Sequence, residues 1–134
     1  MVRRSKDVTD TELAVMEVLW HAPGACTTRE ITDHLYPTTS PSELATVQTL
    51  LARLMKKGFV SRRKKEGLLA FAPRQSRDEL IARRLQMLAD SLCGGSLRPL
   101  LSNLVQKAPL SPEERDRLRE LVQTLEAPAE EDER

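Results

Sequence analysis

Aromatic residues are scarce in this chain of 134 residues: two Phe, one Tyr and one Trp, 3% of the total. A core must then be built from Leu, Val, Ile and Ala, which suits helices better than a β-sandwich or barrel. Cysteine is nearly absent too. Cys26 and Cys93 stand 67 positions apart, without a C-x-x-C or other metal-ligand spacing. Neither a disulfide scaffold nor a zinc module is expected, and a reduced, cytoplasmic setting is. No apolar run approaches the ~20 residues of a membrane helix. The opening Met1-Val2-Arg3-Arg4-Ser5-Lys6-Asp7 is charged with no apolar stretch behind it, unlike a secretory signal. Catalysis lacks its parts. There is no Gly-rich phosphate loop, and His21 and His34 have no Ser, Cys or carboxylate near them in a recognisable arrangement. Cys26 with His21 and His34 matches no zinc pattern. The sequence reads as that of a non-enzyme without cofactor or metal.

Charge is plentiful but uneven. The net charge is +1. Residues 1–78 carry 13 Lys+Arg against 9 Asp+Glu, whereas residues 79–134 carry 8 against 11. No acid occurs from Leu44 to Lys65, and seven basic residues fall between Arg53 and Lys65. The chain closes on Glu130-Glu131-Asp132-Glu133-Arg134, which reads as part of a solvated acidic tail over residues 127–134.

Five copies of one signal mark where helices start. A Ser or Thr followed three residues later by Glu is a capping box. It occurs at Thr9–Glu12, Thr27–Glu30, Ser40–Glu43, Ser76–Glu79 and Ser111–Glu114, twice with Pro at the first helical position. The first helix is predicted over about Asp10 to His21, burying Leu13, Met16, Leu19 and Trp20. The second runs from about Thr28 to Tyr36. The third runs from Pro41 to about Lys57, burying Leu44, Val47, Leu51 and Leu54 and ending at Gly58. Residues 59–63 and 68–72 then read as two strands joined by a turn at Lys64-Lys65-Glu66-Gly67. Three short helices and a basic hairpin form the winged helix-turn-helix pattern. The expected fold is therefore mainly α, with a winged helix-turn-helix DNA-binding domain over residues 1–75.

Residues 76–126 read as three amphipathic helices. The first, about Arg77 to Leu92, carries Leu80, Ile81, Leu85, Leu88 and Leu92. After Gly94-Gly95 a second, starting near Ser96, carries Leu97, Leu100, Leu101, Leu104 and Val105. The third, Pro112 to Glu126, carries Leu118, Leu121, Val122 and Leu125. So small a unit cannot bury that much Leu on itself, and pairing with the same segment of a second chain is the simplest remedy. Packing on the winged helix within one chain is the alternative.

At 100° per residue, the third helix turns Ser42, Ala45, Thr46, Thr49, Ala52, Arg53 and Lys56 away from its apolar stripe, with Gln48 at the edge. Small residues, hydroxyls and cations suit a major groove, and Gln can pair with adenine. The hairpin's Arg62, Arg63, Lys64 and Lys65 suit the phosphate backbone or the minor groove. Thr27 and Thr28 can offer hydroxyls and amides to a phosphate, or simply cap their helix.

These residues resemble the penicillinase-repressor family of bacterial transcriptional regulators (the BlaI/MecI/CopY type). The likeness runs from about Val8 to Glu126. It is carried by Thr9-Asp10-Thr11-Glu12-Leu13-Ala14-Val15-Met16-Glu17-Val18-Leu19-Trp20, by the run from Thr46-Val47-Gln48-Thr49 to Lys57-Gly58, and by Gly94-Gly95-Ser96 with Leu110-Ser111-Pro112-Glu113-Glu114. The resemblance implies a homodimeric repressor on a near-palindromic operator of double-stranded DNA, with Thr46 to Thr49 where the recognition helix meets bases. In the antibiotic-responsive members a membrane sensor protease triggers cleavage at an Asn-Phe bond. The corresponding pair here is Asn103-Leu104, with a different residue after the Asn. The copper-responsive members carry paired C-x-C ligands near the C-terminus, whereas this chain has no cysteine after Cys93. A rival reading is a winged-helix protein-docking module without specific DNA binding. A regulator that senses a small molecule in its C-terminal helices differs only in the trigger.

Overall fold

All five capping boxes close. The Thr9, Thr27 and Ser40 side chains each accept from the amide three residues on, and Glu12, Glu30 and Glu43 reach back to the cap amides. Ser76–Glu79 and Ser111–Glu114 make the same reciprocal pairs at 2.8–3.1 Å. The computed structural model of the protein describes residues 7–126, with side chains as far as Thr124. The expected acidic tail and the side chain of Leu125 lie outside the described residues.

The elements run α1 (Asp10–His21), β1 (Cys26–Thr27), α2 (Thr28–Leu35), α3 (Pro41–Lys57), β2 (Val60–Lys65), β3 (Leu68–Pro73), α4 (Arg77–Leu92), α5 (Arg98–Lys107) and α6 (Pro112–Glu126). The fold is mainly helical, a winged helix-turn-helix followed by a helical region. Gly58 ends α3 with φ +88, its amide bonding back to Leu54 and Met55.

The hairpin differs from expectation. Its turn is two residues, Glu66-Gly67, both with positive φ (54 and 80), and β2 continues through Lys65. A turn with two left-handed residues twists as the flanking strands do, so it closes a tighter hairpin than four residues would. The strand β1 was not anticipated, since two residues carry no pattern. It pairs Cys26 with Phe71 and completes an antiparallel sheet of order β1-β3-β2.

The chain divides into two compact units between Leu80 and Ile81. In the first, Val15, Met16 and Leu19 of α1 are buried with Ile31, Val47, Leu50, Leu51, Leu54, Phe59, Val60 and Phe71. Two expected faces are corrected. On α3 the buried stripe is Val47, Leu50, Leu51 and Leu54, with Leu44 only half-buried, an unbroken i, i+3, i+4, i+7 set. On α1 the buried face is Glu12, Val15, Met16 and Leu19, leaving Leu13 and Trp20 half-buried. Glu12 is fully buried because Lys57, the last residue of α3, meets it at 2.7 Å.

In the second unit, the Arg115 guanidinium of α6 donates to the carbonyls of Val105 and Ala108 at the end of α5. The helix α5 starts at Arg98 rather than near Ser96. Gly94 and Gly95, both at positive φ, carry the turn further, and Ser96 Oγ accepts the Arg98 amide.

Candidate DNA-binding surface

The outer face of α3 is free along its whole length. Ser42, Ala45, Thr46, Gln48, Thr49, Ala52, Arg53 and Lys56 are all exposed, while the residues between them form the core side. The one acid of the helix is occupied elsewhere: Glu43 accepts from the Ser40 amide at 3.1 Å and from the Thr38 hydroxyl at 3.4 Å. Nothing acidic therefore interrupts the face beyond the first turn.

The two threonines are partly committed. Thr46 and Thr49 donate their hydroxyl protons to the Ser42 and Ala45 carbonyls at 3.1 Å. So placed, each offers oxygen lone pairs and a methyl group outward. That suits an amino donor or a thymine methyl on a base edge better than a phosphate, which needs a donor.

On the wing, Arg62, Arg63 and Lys64 are exposed, and the fourth cation differs. Lys65 Nζ donates to Ala25 O at 3.0 Å and to both carboxylate oxygens of Glu30 at 3.2 Å. It fastens the base of the hairpin to the start of α2. The Glu30 carboxylate thus holds two groups, Lys65 Nζ and the Thr27 amide. The Thr27 amide and Lys65 together keep its carboxyl below the ordinary value. Thr28, expected to face phosphate, is half-buried at the first position of α2, with its carbonyl accepting from Thr32. Arg29, beside it and exposed, was not singled out by the sequence, because one cation in a capped helix start has no distinguishing pattern.

A buried tie joins α1 to the end of α3. Lys57 Nζ donates to Glu12 Oε1 and to the Asp7 carbonyl at 2.8 Å. Burial pushes the Glu12 carboxyl up, but Lys57 and the Thr9 amide outweigh it and hold it below its ordinary value. Its second oxygen is buried without a partner among the described residues.

Of the residues expected to pair two chains, Leu80 is different. It is buried in the winged-helix core, so its burial needs no second chain. Ile81, Leu85, Leu88, Leu92, Leu97, Leu104 and Leu121 are exposed, Leu92 at 73% and Leu121 at 56%. Leu101, Leu118 and Val122 are half-buried. Asn103 and Leu104 are exposed inside α5.

His21, Cys26 and His34 line one open groove of about 520 Å³. Among the described residues no group of His, Cys, Asp or Glu has metal-holding geometry. Burial, then the Glu30 carboxylate, push the Cys26 thiol up, so it is protonated and inert. Among the described residues no helix is long and apolar enough to cross a membrane.

A winged helix that turns an acid-free, basic helix face and a basic hairpin outward has the build of a nucleic-acid reader. Residues 8–124 match the family described as penicillinase repressor, and the chain belongs to that family. Its members are transcriptional regulators, not enzymes. The chain is 29% identical to the penicillinase repressor of Bacillus licheniformis over 93% of its own length and 94% of the relative's. It is 34% identical to the transcriptional regulator BlaI of Mycobacterium tuberculosis, covering 88% and 84%. It is 24% identical to the methicillin resistance regulatory protein MecI of Staphylococcus aureus, covering 91% and 98%.

Proposed function

We propose that this protein is a transcriptional repressor that binds a near-palindromic operator as a homodimer. Each chain lays α3 in a major groove, with Thr46, Gln48, Thr49 and Arg53 towards base edges and Ser42 and Lys56 towards the flanks. Arg62, Arg63 and Lys64 follow the phosphate backbone or the adjoining minor groove. Lys65 acts at one remove, by holding the wing. The exposed leucines of α4, α5 and α6 pair the two chains, and that pairing sets the half-site spacing at one helical turn or a multiple, roughly 34 Å per turn. The observation that carries this reading is the outer face of α3, eight exposed residues without an acid, in a chain of the penicillinase repressor family.

Relief of repression follows from the same architecture. A protease controlled, directly or indirectly, by a membrane sensor would act at Asn103–Leu104. That bond lies inside α5, so the helix must open before it can be cut, and the cut removes part of the pairing surface.

Fluorescence anisotropy on the DNA upstream of the protein's own gene tests the reading. Binding should exceed that to scrambled duplex, fall steeply with salt, and be lost in Arg53→Ala and Thr49→Ala. Equal, weak binding to both duplexes would overturn it and favour a protein-docking module.

A further inference from the structure

The winged helix leaves two large apolar side chains in solvent, and they are neighbours. Among the described residues of the first unit, Leu68 at 60% and Leu69 at 49% are the exposed large hydrophobics. Both stand at the tip of the hairpin, directly after the Glu66-Gly67 turn. Leucines scattered singly over a surface need no explanation. Two in succession at a hairpin tip are different, because successive strand residues point to opposite faces. Leu68 covers one face of the tip and Leu69 the other.

The register sets cations behind each of them. Leu69 is opposite Lys64, with Arg62 diagonally behind; Leu68 is opposite Lys65, with Arg63 diagonally behind. Lys65 is turned onto Glu30 and Ala25, whereas Arg62, Arg63 and Lys64 are exposed. Both faces of the wing therefore share one plan, a leucine at the tip and an exposed guanidinium one step back. A flat anionic surface matches one such face. A cleft with apolar walls and an anionic rim on each side matches both. The minor groove of DNA is such a cleft, walled by sugar carbons between two rows of phosphates. Leucine is among the side chains that enter it as apolar wedges. At A·T pairs its floor carries acceptors only, while a G·C pair adds the guanine 2-amino donor. A leucine over that amino group would cut it off from water without offering it a partner.

We propose that Leu68 and Leu69 seat in the minor groove next to the major groove that α3 enters, and make the wing select A·T pairs there. Arg62 and Arg63 then reach the two phosphate rims. The proposal rests on the reading that α3 binds operator DNA, and it gives the wing a share in choosing the sequence.

The test uses the full chain, its Leu68→Thr/Leu69→Thr variant with each single change, and Arg62→Ala/Arg63→Ala. Threonine keeps the strand preference of the hairpin and shortens its apolar reach. The probes are the duplex footprinted upstream of the protein's own gene, carrying A·T, G·C or inosine·C pairs in the flanking minor groove. Inosine matches guanine in the major groove but lacks the 2-amino group. Vesicles of anionic phospholipid are a further probe. Wild type should bind the A·T and inosine·C flanks alike and the G·C flank about tenfold more weakly. The double threonine variant should lose about tenfold on the A·T flank and with it the preference. Its salt slope should stay that of wild type, since apolar contacts release no counterions, whereas the double arginine variant should flatten the slope by about two. Specific binding by wild type that ignores the flank overturns the proposal and leaves α3 as the reader. A threonine variant with wild-type affinity and preference overturns it too. Loss of vesicle binding in that variant, with operator binding intact, overturns it in favour of a membrane surface. Absence of specific binding by wild type to any flank overturns the reading of α3 itself, and this proposal with it.

Discussion

The two units of this chain handle their apolar residues in opposite ways. In the winged helix, Leu19, Ile31, Leu51, Leu54 and Phe59 are each at most 2% exposed, and one chain suffices to cover them. In the unit that begins at Ile81, the large apolar side chains are exposed or at most half-buried, and only Ala89 is buried there among the described residues. Both carry helices of similar amphipathic pattern. The difference is that the winged helix has a second layer, a sheet and crossed helices, for its stripes to meet. Three helices in so few residues present more apolar face than they can cover. Self-sufficiency in one unit and an open apolar surface in the other are what the proposed reader with a pairing module needs.

The contrast can be broken from either side. Phe59→Ala should lower the unfolding free energy by about 4 kcal/mol, from lost burial and the cavity left behind. Leu92→Glu should leave the denaturation midpoint of the winged helix where it was and abolish self-association in sedimentation. A Leu92→Glu protein that unfolds early would place Leu92 in a core within one chain.

Next in size is the buried tie. Lys57→Ala leaves the Glu12 carboxylate buried and unpaired, and should cost about 3 kcal/mol. Adding Glu12→Gln should recover much of that, which a double-mutant cycle measures. Acid should act on the same pair. The Glu12 carboxyl is held below its ordinary value in the folded protein, so its contribution is complete above the unfolded value, about 4.3, and is lost as pH falls through the lower folded value. Wild type should therefore lose stability more steeply below about pH 4.3 than the Glu12→Gln/Lys57→Ala protein, as urea midpoints at stepped pH would show.

The smallest effect expected sharpens the wing. Glu66 sits at φ 54 in the hairpin turn, where Asn is better tolerated. Glu66→Asn should raise stability by about 0.5 kcal/mol. It also removes the only acid of the hairpin, so nonspecific DNA affinity should rise slightly with it.

Much of this was legible in the residues. The S/T-x-x-E signals located five helix starts, because a capping box is a contact between neighbours three apart and needs no partner elsewhere in the chain. Gly58 ended α3 for the same local reason. The outward set on α3 was legible as well, from periodicity and from the absence of acid. Other features had no local signature. Two residues of β1 exist only because β3 offers an edge. Leu50 joined the buried stripe and Leu44 half left it, since the angle at which α3 meets its neighbours chose between adjacent rows. Leu80 looked like one more leucine of a pairing helix until the core of the first unit took it in.

The cations divide along the same line. Composition marked Lys57 and Lys65 as members of one basic run with Arg53, Lys56, Arg62, Arg63 and Lys64. Folding set Lys57 against Glu12 across 45 residues and Lys65 against Glu30 across 35, and left Arg53, Lys56, Arg62, Arg63 and Lys64 in solvent. Sequence alone determined where five of the six helices begin, which face of α3 is polar and how much positive charge the winged helix carries, because these depend on spacing of a few residues. Only the tertiary structure decided which charges are spent inside the protein and which leucines are covered. Those outcomes depend on partners distant in the chain, and no local pattern encodes a partner's position.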